Sequence, residues 1–409
     1  MMRKRKSPKI DSMFNKVDLA SWQDYMKRHR RHLHSRPELS YKETETQKYI
    51  ENELGLFSNI QVRRIARTGL ICDYNMDQKG PLIALRADMD ALPIQEETDL
   101  PFKSKYPNRM HACGHDAHMA ILLGVIQFCA IQKPDLRLRF IFQPSEENNF
   151  HDPKGWSGAK RIVEEGGLKG VDVILGLHQR PNIPFGTLGL QTGAVMAAAM
   201  MFELEILGKS AHAGAEPEKG IDSILIASDW IQSVQSIISR RISPRSTGVI
   251  SVGTIAGGEI ANVIADSVKM TGTIRTRDAG TREQILREIR LLNEALSHRY
   301  GCQMNWSILQ DVPVTINNGH LCDQISAAVR AEMPDVRILN EVDMMAAEDF
   351  SFYGQKIPSF FGFLGTGNMD KQVQYGLHHP KMDIEESALI EGAKYFLTAA
   401  KAVSKSRGE

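Results

Sequence analysis

The chain has 409 residues, 42% of them apolar and 24% charged, with a formal net charge of +1. This is the composition of a soluble globular protein, and the length exceeds what one ordinary hydrophobic core organises, so two domains are expected. The near-neutral charge gives no reason to expect nucleic-acid or membrane partners, and no stretch approaches a membrane span.

The basic start, Met2–Lys6, reads as a solvated tail, and no apolar run follows it, so no secretory signal is expected. Trp22–Leu56 has a helical pattern broken near Pro37. Residues 81–90, PLIALRADMD, read as a buried strand followed by a polar turn. Ala117–Gln132 reads as a helix, and two further strands, LRLRFIF and VDVILGLH, flank a short helix at Ala159–Glu165. This rhythm predicts an α/β layered domain with polar residues gathered after the strand ends.

The middle of the chain changes pattern. A strand at MFELEILG precedes a helix over Ile221–Ile238. Strands GVISVGTIAGG and DSVKMTGTIRT, a helix over Arg282–Tyr300 and a strand QMNWSILQ follow. The order β-α-β-β-α-β predicts a ferredoxin-like sandwich at 195–312. The α/β rhythm then resumes with helices at Leu321–Met333, around Phe350 and at Ser387–Ser404, and a strand PSFFGFLG. The expected architecture is therefore a discontinuous catalytic domain, 1–194 and 313–409, carrying the sandwich as an inserted lid or oligomerisation module.

Metal-type side chains gather in the first of these domains. Cys113 and His115 flank Gly114, so a turn can bring both to one ion. Asp88, Glu147 and His178 each follow an apolar strand, where open α/β sheets place their sites, and His378 lies in the returning segment. A Cys, His and Glu set suits zinc, with manganese, cobalt or nickel also possible. More than four donors point to two ions sharing one ligand. In the adjacent pair Glu146–Glu147, one carboxylate can bind metal while its neighbour moves a proton. The five cysteines are scattered and odd in number, which argues for a reduced, cytoplasmic setting and against a disulfide framework. Cys113 as a nucleophile beside a histidine is the competing chemistry, but it gives Glu146, Glu147 and His178 no task.

The motifs RRHLHSRPELSYKETET, LRADMDALPIQE, HACGHDAHMA, FQPSEE, GLHQRP, GKSAHAGAEPEKGID, GTIRT, AAEDFSFY and LHHP occur in this order. With them the chain resembles the dinuclear-metal aminoacylase and carboxypeptidase family, in the subgroup of indole-acetyl-amino-acid and hippurate hydrolases. The resemblance runs from about residue 20 to 400 and implies a zinc-peptidase-like catalytic domain. It implies two divalent ions held by Cys113, His115, Glu147, His178 and His378, with Cys113 bridging. Glu146 is then the general base, and Asp88 moves to a supporting position behind the ligands. In the inserted domain, His212 matches a histidine that reaches across a dimer to the substrate carbonyl. Asn262 and Arg275 match residues that hold the substrate's carbonyl oxygen and carboxylate.

His32 and His34 read as structural, Glu38 as a helix-capping carboxylate, and Glu348 and Asp349 as supporting. The loop from Asn148 to Trp156 is longer than the subgroup usually carries, which places His151 and Trp156 as candidate pocket residues. Ala265 stands where the family usually has proline. The implied reaction is hydrolysis of N-acyl amino acids by a homodimer. A dipeptidase or carboxypeptidase using the same site, and a non-catalytic binding protein on the same fold, are the alternatives.

Overall fold

The structure, a computed structural model, describes residues 13–15, 17–342, 344–371, 373 and 375–406. The basic start lies outside them. The chain packs into two compact units. One comprises residues up to Gly193, Asn317–Val342 and the chain from Phe352 onward; the other comprises Ala194–Ile316 with the stretch that ends at Ser351. That last stretch lies outside the 195–312 range expected for the insertion.

The first unit is built on an eight-stranded sheet. Its order is Ile60–Ile65, Gly69–Tyr74, Arg137–Gln143, Leu82–Asp88, Val173–Pro184, Ser359–Gly367, Thr187–Gly189 and Arg337–Leu339. Leu82–Asp88 runs parallel to both of its neighbours, and Ser359–Gly367 runs parallel to Val173–Pro184. Leu82–Asp88 and Ser359–Gly367 are buried at every position, so their apolar residues run together rather than alternate with polar ones.

The helix His115–Gln132 is buried around nearly its whole circumference. It packs beneath Leu19–His34 through Gly124, whose carbonyl accepts the Trp22 indole N–H at 2.8 Å. A Cβ at Gly124 would lie 2.5 Å from the Met26 sulfur. The break near Pro37 separates Leu19–His34 from Thr44–Leu54. Glu38 accepts the backbone N–H groups of Glu45 and Thr46, the helix-capping role expected of it.

In the second unit the strands Gln303–Val312, Ala198–Leu207, Ser267–Thr276 and Gly248–Gly257 form one antiparallel sheet in that order. Numbered along the chain, the order is 4-1-3-2, the ferredoxin-like arrangement expected from β-α-β-β-α-β. Its helices Ser223–Ser236 and Ala279–Tyr300 cover one sheet face with Phe202, Leu204, Ile206, Trp230, Met270, Ile285 and Ile289.

Candidate metal centre

The site begins with a turn that only glycine fits. Gly114 has φ +84°, and a Cβ there would lie 2.3 Å from the Gln179 side-chain nitrogen. Cys113 and His115 therefore emerge on either side of it at the start of an 18-residue helix. Glu146 and Glu147 follow the strand Arg137–Gln143, and His178 lies within Val173–Pro184. His378 sits at φ +64°, a conformation rare for a non-glycine residue, and its N–H donates to the Ala112 carbonyl at 2.8 Å.

These side chains converge. The ligand atoms of Cys113, His115 and His178 lie within 4.8 Å of one another, as do those of Cys113, Glu147 and His378. Cys113 is common to both groups. Its sulfur is 3.4 Å from His178 Nε2, while Glu147 Oε1 is 3.5 Å from His378 Nε2 and 3.8 Å from His115 Nε2. Glu146 Oε2 lies 4.0 Å from His115 Nε2.

Hydrogen bonding behind the site sets each tautomer. His115 Nδ1–H donates to the Asp90 carbonyl at 2.8 Å, and His178 Nδ1–H donates to the Gln179 carbonyl at 2.6 Å. Both rings thus turn Nε2 inward, as metal-binding histidines do. His118 is arranged differently: Nδ1–H donates to Asp88 at 2.6 Å, and Nε2 accepts the Gln179 N–H at 2.9 Å. Both of its nitrogens are engaged, so His118 supports Asp88 rather than offering a ligand. Asp88 also accepts from Arg86 at 2.7 Å and stands 3.6 Å from His115 Nε2.

The electrostatics fit a cation. His115 Nε2 and Glu147 Oε1 are buried without a hydrogen-bond partner, the costly state that a metal relieves. Burial pushes the Cys113 thiol well above its ordinary range, and the Glu147 and Glu146 charges push it further. Burial lowers His115, but the charge of Asp88 and the contacts with Asp90 outweigh it and raise the ring to about 10. Burial and the neighbouring His118 hold His178 neutral. Without metal the site retains protons on Cys113 and His115, which an entering cation would displace.

A model of Peptidase family M20/M25/M40 matches residues 84–402. The chain belongs to peptidase family M20/M25/M40. It is 38% identical over 400 residues to N-acetyl-L-cysteine deacetylase of Bacillus subtilis, covering 97% of this chain and 92% of that protein. It is 38% identical over 376 residues to IAA-amino acid hydrolase ILR1-like 2 of Arabidopsis thaliana, covering 90% and 83% respectively. Among solved structures, the Bacillus subtilis YXEP protein, described as a dinuclear metal binding peptidase from the M20 family, superposes with a TM-score of 0.81. The two are 34% identical, with 94% of this chain and 99% of that one covered.

In this M20 chain the expected residues His212, Asn262 and Arg275 lie in the second unit. His212 is exposed, and its Nδ1 accepts the N–H groups of Gly214 and Ala215, leaving Nε2 to donate outward. The Ala213 N–H donates to the Asn262 carbonyl at 3.0 Å, so His212 and Asn262 stand on neighbouring segments. Arg275 is half-buried on the strand Ser267–Thr276, opposite Ala199 and Val249. In the first unit, the Asn148–Trp156 loop is organised by Asp152, which accepts from Arg161 and from the N–H groups of Lys154 and Trp156. Trp156 stacks under the Lys154 ammonium at 4.2 Å, while His151 is exposed. Asp90, His118 and Gln179 went unassigned in the sequence. His118 carried a signal, since it lies three residues after His115 on one helix face.

Proposed function

We propose that the protein is a metal-dependent amidohydrolase that cleaves the amide bond of N-acyl amino acids, releasing a carboxylic acid and a free amino acid. The observation that carries this reading is the pair of donor groups sharing Cys113, with Glu146 beside them. Cys113, His115, Glu147, His178 and His378 would hold two divalent ions, zinc or manganese first. Such ions supply Lewis acidity to the scissile carbonyl and to the attacking water.

The protein's own groups do the rest. Glu146 takes the proton from the attacking water and delivers it to the leaving amine, which needs a carboxylate close to the ligands yet not committed to them. His212 donates from Nε2 to the carbonyl oxygen as charge develops there. Asn262 supports that oxygen, and the Arg275 fork pairs with the free carboxylate of the amino acid.

We assign 1–194 and 313–409 to the catalytic domain and 195–312 to a lid and dimerisation domain, with His212 serving the site of a second copy. Supporting a dimer, Ile224, Leu225, Ile255, Ile260 and Val263 are each more than 40% exposed on the second unit. The cysteines are free, which agrees with a reducing, cytoplasmic setting. Among the described residues no helix is long and apolar enough to cross a membrane.

The test is hydrolysis of N-acetyl, N-benzoyl and indole-acetyl amino acids beside a dipeptide panel, with released amino acid measured. The related YXEP protein is described as a peptidase, which favours dipeptides as the second reading. Turnover of dipeptides alone would select it. No turnover of any of these amides by metal-loaded protein would overturn both.

A further inference from the structure

The three N–H groups of Ser145, Glu146 and Glu147 are all taken by buried carboxylates. Ser145 N–H donates to Glu43 Oε1 at 2.9 Å. The N–H groups of Glu146 and Glu147 donate to the two oxygens of Asp90, each at 3.0 Å. Ser145 needs this restraint because its φ is +51°, a left-handed conformation that a serine adopts only when its surroundings hold it. The turn so constrained carries the glutamate pair.

Glu43 is committed to this task at the expense of an easier one. It occupies the N-cap position of Thr44–Leu54, yet its side chain makes no capping hydrogen bond. Glu38 takes the helix N–H groups instead. The second Glu43 oxygen accepts the Thr68 hydroxyl at 2.6 Å. Thr68 follows Ala66 and Arg67, both at positive φ, in the turn between Ile60–Ile65 and Gly69–Tyr74. Glu43 is fully buried, and burial together with the Asp90 charge pushes its carboxyl upward, so the fold holds it there against a desolvation cost. Asp90 is tied in likewise: Ser40 donates its hydroxyl to Asp90 at 2.6 Å, and the Asn148 amide donates to Ser40 at 2.9 Å.

We infer that Glu43 is a positioning residue for the reaction: with Asp90 it grips three successive backbone amides and so sets where the Glu146 and Glu147 carboxylates point. This rests on the proposed roles of those two glutamates. Glu43 hydrogen-bonds to Ser145 and Thr68 rather than to the proposed ligand side chains. It acts through the Ser145 turn, from a point 102 residues away in sequence.

The test compares wild type with Glu43→Ala, Glu43→Gln and Thr68→Val. Kinetics on an amide that wild type hydrolyses are measured beside the visible absorption spectrum of the Co(II)-loaded proteins without substrate. Glu43→Ala is expected to lower kcat by about 10–100-fold with KM little changed, and to alter the Co(II) spectrum through displaced Glu147. Glu43→Gln is expected to recover most of the rate and the wild-type spectrum, because its carbonyl still accepts from Ser145 and its amide can donate to Thr68. Thr68→Val is expected to fall between. Wild-type kcat and spectrum in Glu43→Ala, or a Gln variant as impaired as the Ala variant, would overturn the inference. Should Glu43→Ala not fold, an unchanged spectrum and kcat in Thr68→Val overturns it instead. A wild type that hydrolyses no amide would count against the functional reading alone, since the Co(II) spectra would still test the positioning.

Discussion

The two units handle polarity in opposite ways. In the first, charge is buried: Arg30, His34, Arg86, Asp88, Asp90, His115 and Asp116 are all 2% exposed or less. Each gains partners from distant parts of the chain, as when Arg30 pairs with Asp116, Asp383 and Glu386. In the second, ion pairs lie near the surface, as in Arg241–Glu288 and Lys269–Glu203, where such pairs contribute little. One sheet is buried along its central strands, while the strand Gly248–Gly257 of the other is exposed at most positions. Chemistry that needs shifted proton affinities suits the first environment, and the substrate contacts proposed for His212, Asn262 and Arg275 would lie in the second.

Substitutions test that division. Glu146→Gln is expected to retain metal by elemental analysis while losing about 10²–10⁴-fold in turnover. Unchanged turnover would remove Glu146 from its proposed role. His212→Ala, in the second unit, is expected to lose about 10²–10³-fold with metal content and folding intact, because it removes an exposed donor. Loss of metal in that variant would contradict the separation of roles. On stability, Leu85→Ala in the buried strand should cost about 2–5 kcal/mol by denaturant unfolding. Ile255→Ala, at a position 53% exposed, should cost well under half of that, and equal costs would mean that its sheet face is covered in solution.

The last effect depends on pH and concerns His34, which faces Asp116, Glu96, Arg30 and His111. Burial alone would lower its proton affinity, but the Asp116 charge and the hydrogen bonds to Asp116 and Glu96 raise it to about 9. A raised folded value means that the stabilisation is fully present below about pH 6.5 and is lost as pH rises through about 9. The slope in that window is at most about 1.4 kcal/mol per pH unit. Denaturant midpoints recorded across it should fall in wild type and fall less steeply in His34→Gln. No equivalent pH dependence is expected to arise from the exposed pairs of the second unit.

Much of the site was legible because its chemistry is local. A glycine between Cys113 and His115 announces a turn, and two adjacent glutamates after an apolar strand announce divided labour. Asp90 and Glu43 were not legible in the same way. Their function is to accept backbone N–H groups across 56 and 102 residues, and any buried carboxylate can do that without a motif. The hairpin Ile60–Tyr74 also went unassigned. Its edge strand exposes Gln61, Arg63 and Arg64, so few apolar positions mark the period.

Periodicity and residue type alone determined the α/β class, the ferredoxin-like order of the middle segment and the choice of metal-type donors, since each follows from short-range pattern. The resemblance named the donors that would meet; only the tertiary structure decided which histidine nitrogens face inward and that His118 is occupied on both sides. Those outcomes depend on hydrogen bonds between residues far apart in the chain, and the chain's order does not encode which partners folding will bring together.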